Sequence, residues 1–236
     1  MRSFGVGRLG AALGVAILGG VLMVEVAHTA PPKCFGRTAT IVRGGGDNVI
    51  EGTSGADVIV AGAGIDVVDA LGGNDRICAG GGNDNVDAGA GNDRVKGSSG
   101  HDSIEGEVGE DRLLAGDGSD SVYGGDDADL LKGQGGSESE GAAGNAGLYG
   151  GGGGDTILGG NGQDSMRGQE GNDVMRGGDA TDSLQGDAGT DEMFGQARND
   201  FVNAMDEAGG DLAHGGAGES DICYFDEGDT TESCES

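Results

Sequence analysis

The sequence predicts an all-β architecture, a parallel β-roll (a β-helix-like solenoid) wound from nine-residue repeats. Three observations predict it. From Arg43 to Lys132 a nonapeptide recurs ten times without slipping; Gly52-Thr53-Ser54-Gly55-Ala56-Asp57-Val58-Ile59-Val60 shows its pattern of a small residue first, glycine fourth, aspartate sixth and an aliphatic residue eighth. The sixth position reads Asn48, Asp57, Asp66, Asp75, Asp84, Asp93, Asp102, Asp111, Asp120 and Asp129, while the eighth reads Ile50, Ile59, Val68, Ile77, Val86, Val95, Ile104, Leu113, Val122 and Leu131. A second block, Gly150 to Asn203, resumes the register for six repeats with Asp155, Asp164, Asp173, Asp182, Asp191 and Asp200. Two unrelated constraints held in phase over so many repeats mark a repeat architecture, since compositional bias imposes no phase.

Composition bounds how such a chain is held together. Its 236 residues suffice for one domain, but aromatics are 3%, Trp is absent and 56 residues are glycine. Glycine loses more backbone freedom on folding than any other residue, so a compensating force is required. The formal charge is −29, with 42 acidic against 13 basic residues. That balance opposes nucleic acid and anionic membrane surfaces and favours cations as partners. Without such a partner the expected state is disordered.

The first 30 residues read as an export signal. Arg2 and Arg8 give a positive start, Leu9 to Val24 an apolar run that Glu25 ends, and Ala27 to Ala30 a processing region. An uncleaved anchor is the alternative. Export predicts a secreted, extracellular protein with no membrane insertion beyond the signal, and four cysteines in such a chain predict two disulfides.

Within each repeat, positions one to five are expected to turn, because glycine reaches positive φ without a steric penalty. Positions six to nine are expected to run as a strand, with the eighth side chain inward and the seventh and ninth in solvent. Two nonapeptides close a coil of 18 residues, which stacks repeat n on repeat n+2 about 4.8 Å away. Carboxylates such as Asp57 and Asp75 then lie roughly 5 Å apart, repelling by about 1 kcal/mol in water and several-fold more at low dielectric. A ladder of them calls for a cation between rungs. Oxygen-only ligands, carboxylate and carbonyl, select a hard ion of flexible coordination, Ca²⁺ over Mg²⁺ or Zn²⁺. The stack of single Val, Ile or Leu side chains is thin, so ion binding is expected to drive folding.

On these residues the chain resembles the hemolysin-type (RTX) calcium-binding nonapeptide repeat proteins, over Arg43 to about Asp221. The resemblance implies that turn carbonyls and sixth-position aspartates of repeats n and n+2 hold calcium in two columns. It implies pairs from Asn48/Asp66 through Asp111/Asp129 in the first block, and Asp155/Asp173, Asp164/Asp182, Asp173/Asp191 and Asp182/Asp200 in the second. That is up to about twelve sites. Asn48/Asp66 has lost one charge, and Asp211 and Asp221 are weaker candidates beyond the second block.

Departures from the pattern divide the chain. The expected parts are a signal (1–30), an N-terminal cap arm (31–42), a first calcium-binding block (43–132), a degenerate seam (133–149), a second block (150–203) and a C-terminal stretch of degenerate repeats with a disulfide cap (204–236). In the seam Gly133 to Glu140 is one residue short, with Ser139 at the aliphatic position, and Ala146 replaces the aspartate. The pattern there predicts either two rolls or one roll with a defective seam. Asp127, Ala180 and Arg198 replace the fourth-position glycine, which puts their turns in doubt, and Ala204 to Glu207 breaks the phase again. Met166, Met175 and Met193 at the inward position suggest a looser second block.

The ends of a roll need covering, or their strands would template aggregation. Val58 and Val60 make an outward apolar patch, and Val60 falls one coil below Cys78. This suggests an arm fastened over the patch by Cys34–Cys78, and a terminus tied off by Cys223–Cys234; similar cysteine-closed ends occur in small exported actinobacterial members of the family. Other pairings remain open, since four cysteines allow three. On the outward faces Arg76, Arg94 and Arg112 recur 18 apart with Lys96 and Lys132 beside them, while Asp69, Asp87 and Glu105 recur opposite. Solubility explains these charges; the sharper reading is a basic stripe for an anionic cell-wall polymer or polysaccharide.

No zinc-protease motif, nucleophile elbow or phosphate loop is present. Of the histidines His28, His101 and His214, the first falls in the signal and His101 occupies a turn position. The expectation is a non-enzymatic, secreted calcium-binding protein with a structural or adhesive role. The alternatives are an effector or hydrolase with an outward-face site, and a plain calcium buffer.

Overall fold

A computed structural model describes residues 15–18, 21–24, 30–133, 147–206, 209–218 and 220–234. The chain divides into two units, Met1–Pro32 and Lys33–Ser236. In the first, Val15–Leu18 pairs antiparallel with Val21–Val24; the rest of the expected signal up to Thr29 lies outside the described residues.

The second unit is a parallel roll of two sheets, with ten and eleven strands among the described residues. The chain alternates between the sheets, so each strand pairs with the one two steps on. The register is the 18-residue one, as in Val58↔Arg76, Ile59↔Ile77 and Val60↔Cys78. The eighth-position residues from Ile50 to Val202 are buried between the sheets, and Met166, Met175 and Met193 are as buried as the Ile and Leu of the first block.

One expectation needs correcting. Strands do not occupy positions six to nine; most run from position seven to position three of the next repeat, as in Val58–Ala63 and Arg112–Asp117. The alternation explains this. If the eighth side chain points inward and the ninth outward, the first of the next repeat points inward again, and Ala61, Ala70, Ala79, Ala88 and Ala115 are fully buried there. The small first residue is therefore a core position, and the turn shrinks to positions four to six.

That turn depends on its fourth residue. Gly82 has φ +126°, and a Cβ on it would collide with the carbonyl of Gly64 in the coil below. Asp127, Ala180 and Arg198 nevertheless keep the same left-handed turn, at φ 76°, 101° and 84°. Their substitution costs strain without changing the path.

Both sheets run through the seam. Ser121–Asp126 pairs with Gly147–Gly152, and Leu130–Lys132 with Thr156–Asn161. Leu148 restores the buried inward position; Ser139 and Ala146 lie outside the described residues. At the ends, Ile41–Val42 opens the eleven-stranded sheet beside Val58–Ala63. Cys34, in a two-residue strand paired with Arg37–Thr38, is bonded to Cys78, and Cys223 to Cys234.

Candidate metal centres

Each sixth-position aspartate follows the glycine turn and precedes its strand, and the 18-residue register sets it above its counterpart. The backbone N–H of Asp57 donates to Oδ1 of Asp75 at 2.6 Å, that of Asp75 to Asp93 at 2.7 Å and that of Asp93 to Asp111 at 2.7 Å. The same bond links Asp66 to Asp84, Asp84 to Asp102, and Asp102 to Asp120, at 2.9 Å each. Two columns of aspartates result, one beside each sheet.

The structure joins rungs that an 18-residue spacing misses. Asp129 N–H reaches Asp155 Oδ1 at 2.7 Å across the seam, 26 residues on. Asp191 reaches Asp211 and Asp200 reaches Asp221, 20 and 21 residues on. Asp211 and Asp221, weaker candidates by sequence, are as buried as the others. Among the described residues the first column thus has nine aspartate rungs, from Asp57/Asp75 through Asp191/Asp211 to Asp211/Asp229, where Asp229 is only half-buried. The second has six: three from Asp66 to Asp120 and three from Asp164 to Asp221. Asp120 and Asp164 are separated by the coil whose sixth residue is Ala146.

Charge builds up along these columns. Oδ1 of each aspartate is satisfied by an N–H, but Oδ2 is buried with no hydrogen-bond partner in Asp66, Asp75, Asp84, Asp93, Asp102, Asp111, Asp120, Asp129, Asp155, Asp173, Asp182, Asp191, Asp200 and Asp211. A buried carboxylate oxygen without a donor is strongly unfavourable. Burial raises the pKa of the carboxyls named next, against the N–H bond that lowers it, and for most of them neighbouring aspartates raise it further. Asp93 is pushed up to about 7, Asp182 to about 7 and Asp129 to about 8. Asp102, Asp111, Asp155, Asp173, Asp191, Asp200 and Asp211 rise to about 6 for the same leading reason.

The donor set fits a hard cation. Among the described residues no three Asp, Glu, His or Cys side chains converge, so a metal here must draw heavily on backbone carbonyls. Asn48 marks where those carbonyls are. Its Nδ2 donates to Gly46 O at 2.5 Å, Gly44 O at 3.5 Å and Asp66 Oδ1 at 2.7 Å. The positive end of one amide dipole thus gathers two turn carbonyls and the carboxylate of the next coil. An all-oxygen set of this kind suits Ca²⁺, which accepts carboxylate and carbonyl ligands in flexible number.

Asp57 differs from the aspartates above it. Its Oδ2 accepts from Thr53 N–H at 2.8 Å and Thr53 Oγ1 at 2.9 Å, and its Oδ1 from Thr40 Oγ1 at 3.2 Å. Sequence reasoning did not find these hydroxyl partners, although Thr53 is visible as a departure from glycine at the second position. His101 is exposed at its turn, its Nδ1 accepting from Ser119 N–H at 3.0 Å.

No curated protein sequence matches the chain. A family model, the RTX calcium-binding nonapeptide repeat in four copies, matches residues 42–77, 51–86, 79–113, 105–137, 149–184 and 167–202. These matches span most of the chain and coincide with the two aspartate columns, and the chain belongs to the RTX calcium-binding nonapeptide repeat family.

Proposed function

We propose that the chain is an exported calcium-binding roll that folds as calcium fills its two columns, and that it serves a structural or adhesive role at or beyond the cell surface. The observation that carries this reading is the row of buried aspartate Oδ2 atoms with no donor. In it the two aspartates of each rung, with turn carbonyls equivalent to those of Gly44 and Gly46, hold one ion. In this reading the nine and six aspartate rungs set the upper count of ions, beside the sequence expectation of about twelve, and the Asn48/Asp66 rung is closed by the Asn48 amide instead of an ion. Calcium supplies the charge that lets like carboxylates stack; the chain supplies the register. Export is supported by the two disulfides, which persist in oxidising compartments.

Circular dichroism during a calcium titration tests the reading. The chelated chain is expected to give a coil-like spectrum at neutral pH and to become β-rich with Ca²⁺ but not with equal Mg²⁺. Full strand content in chelator, with a melting temperature no lower than in calcium, would overturn it. For the adhesive role, Arg76, Arg94 and Arg112 are register neighbours on one sheet. Their joint replacement by Ser is expected to abolish binding to an anionic cell-wall polymer, and retained binding would remove that role.

A further inference from the structure

On the ten-stranded sheet the register builds a slot walled by a pair of stacked tyrosines. One wall is the ninth-position column Glu105, Tyr123, Tyr149, Arg167. The floor is Gly125 and Gly151, which carry no side chains, closed at its ends by Glu107 and Gln169. The far wall carries Asp126 and Glu170. Two adjoining hollows of about 490 Å³ and 280 Å³ fill this slot and share Tyr123, Gly125 and Asp126.

The tyrosine rings stack at 4.7 Å between centroids, 8° from parallel. Their outer faces are therefore turned along the column, Tyr123 toward the Glu105 rung and Tyr149 toward the Arg167 rung. At two other places the chain sets its own cation over an aromatic face: Arg94 lies 5.1 Å from the Phe35 centroid and Arg176 5.5 Å from that of Phe194. Here it does not. Arg167, the nearest guanidinium in register, is drawn away by Asp187 at 3.2 Å and Gln185 at 2.9 Å. No ion pair among the described residues engages Glu105, Glu107, Asp126 or Glu170.

We propose that this slot binds a linear alkylammonium ligand of the polyamine class, with one ammonium against the Tyr123 face between Glu105 and Glu107 and the chain lying along the glycine floor toward Asp126 and Glu170. A cation is attracted to a ring face and to carboxylates together. A bare glycine floor admits an unbranched alkyl chain. The rungs from Glu107 to Gln169 span roughly 14 Å, room for more than one charge on such a chain. The site uses outward side chains only, so it is separate from the buried aspartate columns.

The test uses the full chain in saturating calcium with spermidine as the probe, followed by calorimetry and tyrosine fluorescence. The chain has three tyrosines and no tryptophan, so the fluorescence reports largely on this pair. The double variant Tyr123→Leu, Tyr149→Leu is expected to bind about tenfold more weakly. The pair Glu107→Gln, Asp126→Asn is expected to bind more weakly and with less dependence on salt. Tyr224→Leu is expected to change nothing. Unchanged affinity in the double tyrosine variant overturns the proposal. So does cellobiose binding with the same tyrosine dependence while spermidine does not, or displacement of spermidine by magnesium at constant ionic strength. Dichroism of every variant in calcium is read first, so a failure of calcium-dependent folding is seen before spermidine is added.

Discussion

The first coil and the coils above it share one backbone design but differ in how their polar atoms are satisfied. In the first, the Asn48 amide holds Gly44 O, Gly46 O and Asp66 Oδ1, and Thr53 supplies both a backbone N–H and a hydroxyl to Asp57 Oδ2. From Asp66 to Asp155 and from Asp173 to Asp211 the corresponding Oδ2 atoms are buried with no donor. Two side chains, an amide and a hydroxyl, decide how far a coil relies on an ion. The less ion-dependent coil lies at the end fastened by Cys34–Cys78.

The largest effect should come from replacing calcium with protons. In the metal-free roll burial raises the pKa values of column aspartates such as Asp111 and Asp155 from 3.8 to about 6, and that of Asp129 to about 8. The folded state then binds more protons than the unfolded one between those limits. The stability this gives is complete below about pH 4 and is lost as pH rises through 6 to 8. In chelator the chain is expected to be coil-like at pH 8 and to regain β-structure by about pH 5, read by circular dichroism. With calcium present the direction reverses, because protons compete for the same oxygens. A chelated chain equally unfolded at both pH values would mean that column charge does not separate the two regions.

Single carboxylates should show the contrast next. Asp93→Asn removes a charge from two interior rungs and is expected to cost about 3 kcal/mol in calcium, seen as a lower melting temperature and a higher calcium midpoint. Asp57→Asn, whose oxygens already have hydroxyl and N–H donors, is expected to cost less than about 1 kcal/mol. Equal losses would break the comparison. Asn48→Asp converts the first coil to the interior type. It should destabilise the chain at low calcium by about 1–2 kcal/mol, and add one bound calcium per chain by calorimetry.

Much of this was legible in the sequence, because a side chain's face follows from its position in an 18-residue coil. The inward column from Ile50 to Val202, the Val60–Cys78 neighbourhood and the arginine column all follow from that arithmetic. Strand limits did not. They depend on the inward role of residues such as Ala61, which a turn-forming reading of small residues hides. The rungs Asp129/Asp155, Asp191/Asp211 and Asp200/Asp221 were missed because the intervening chain is longer than one coil. Excess chain can leave between strands without disturbing the register on either side. The tyrosine slot was invisible for the same reason, since Tyr123 and Tyr149 meet only once the seam residues are discounted.

The smallest effect concerns turns within the ion-dependent coils. Ala180 holds the fourth position at φ 101°, where glycine is free and an L side chain is strained. Ala180→Gly relieves that strain but also loosens the unfolded chain, so the two contributions partly cancel. A net gain of about 1 kcal/mol is expected, or roughly 2–4 °C in melting temperature for a domain of this size. The gain should appear in calcium and leave the calcium midpoint almost where it was, because the turn's path and its carbonyls are already in place. A midpoint that moved as far as in Asp93→Asn would place the ion dependence in the turns and not in the carboxylates, and the difference between the first coil and the rest would need another cause.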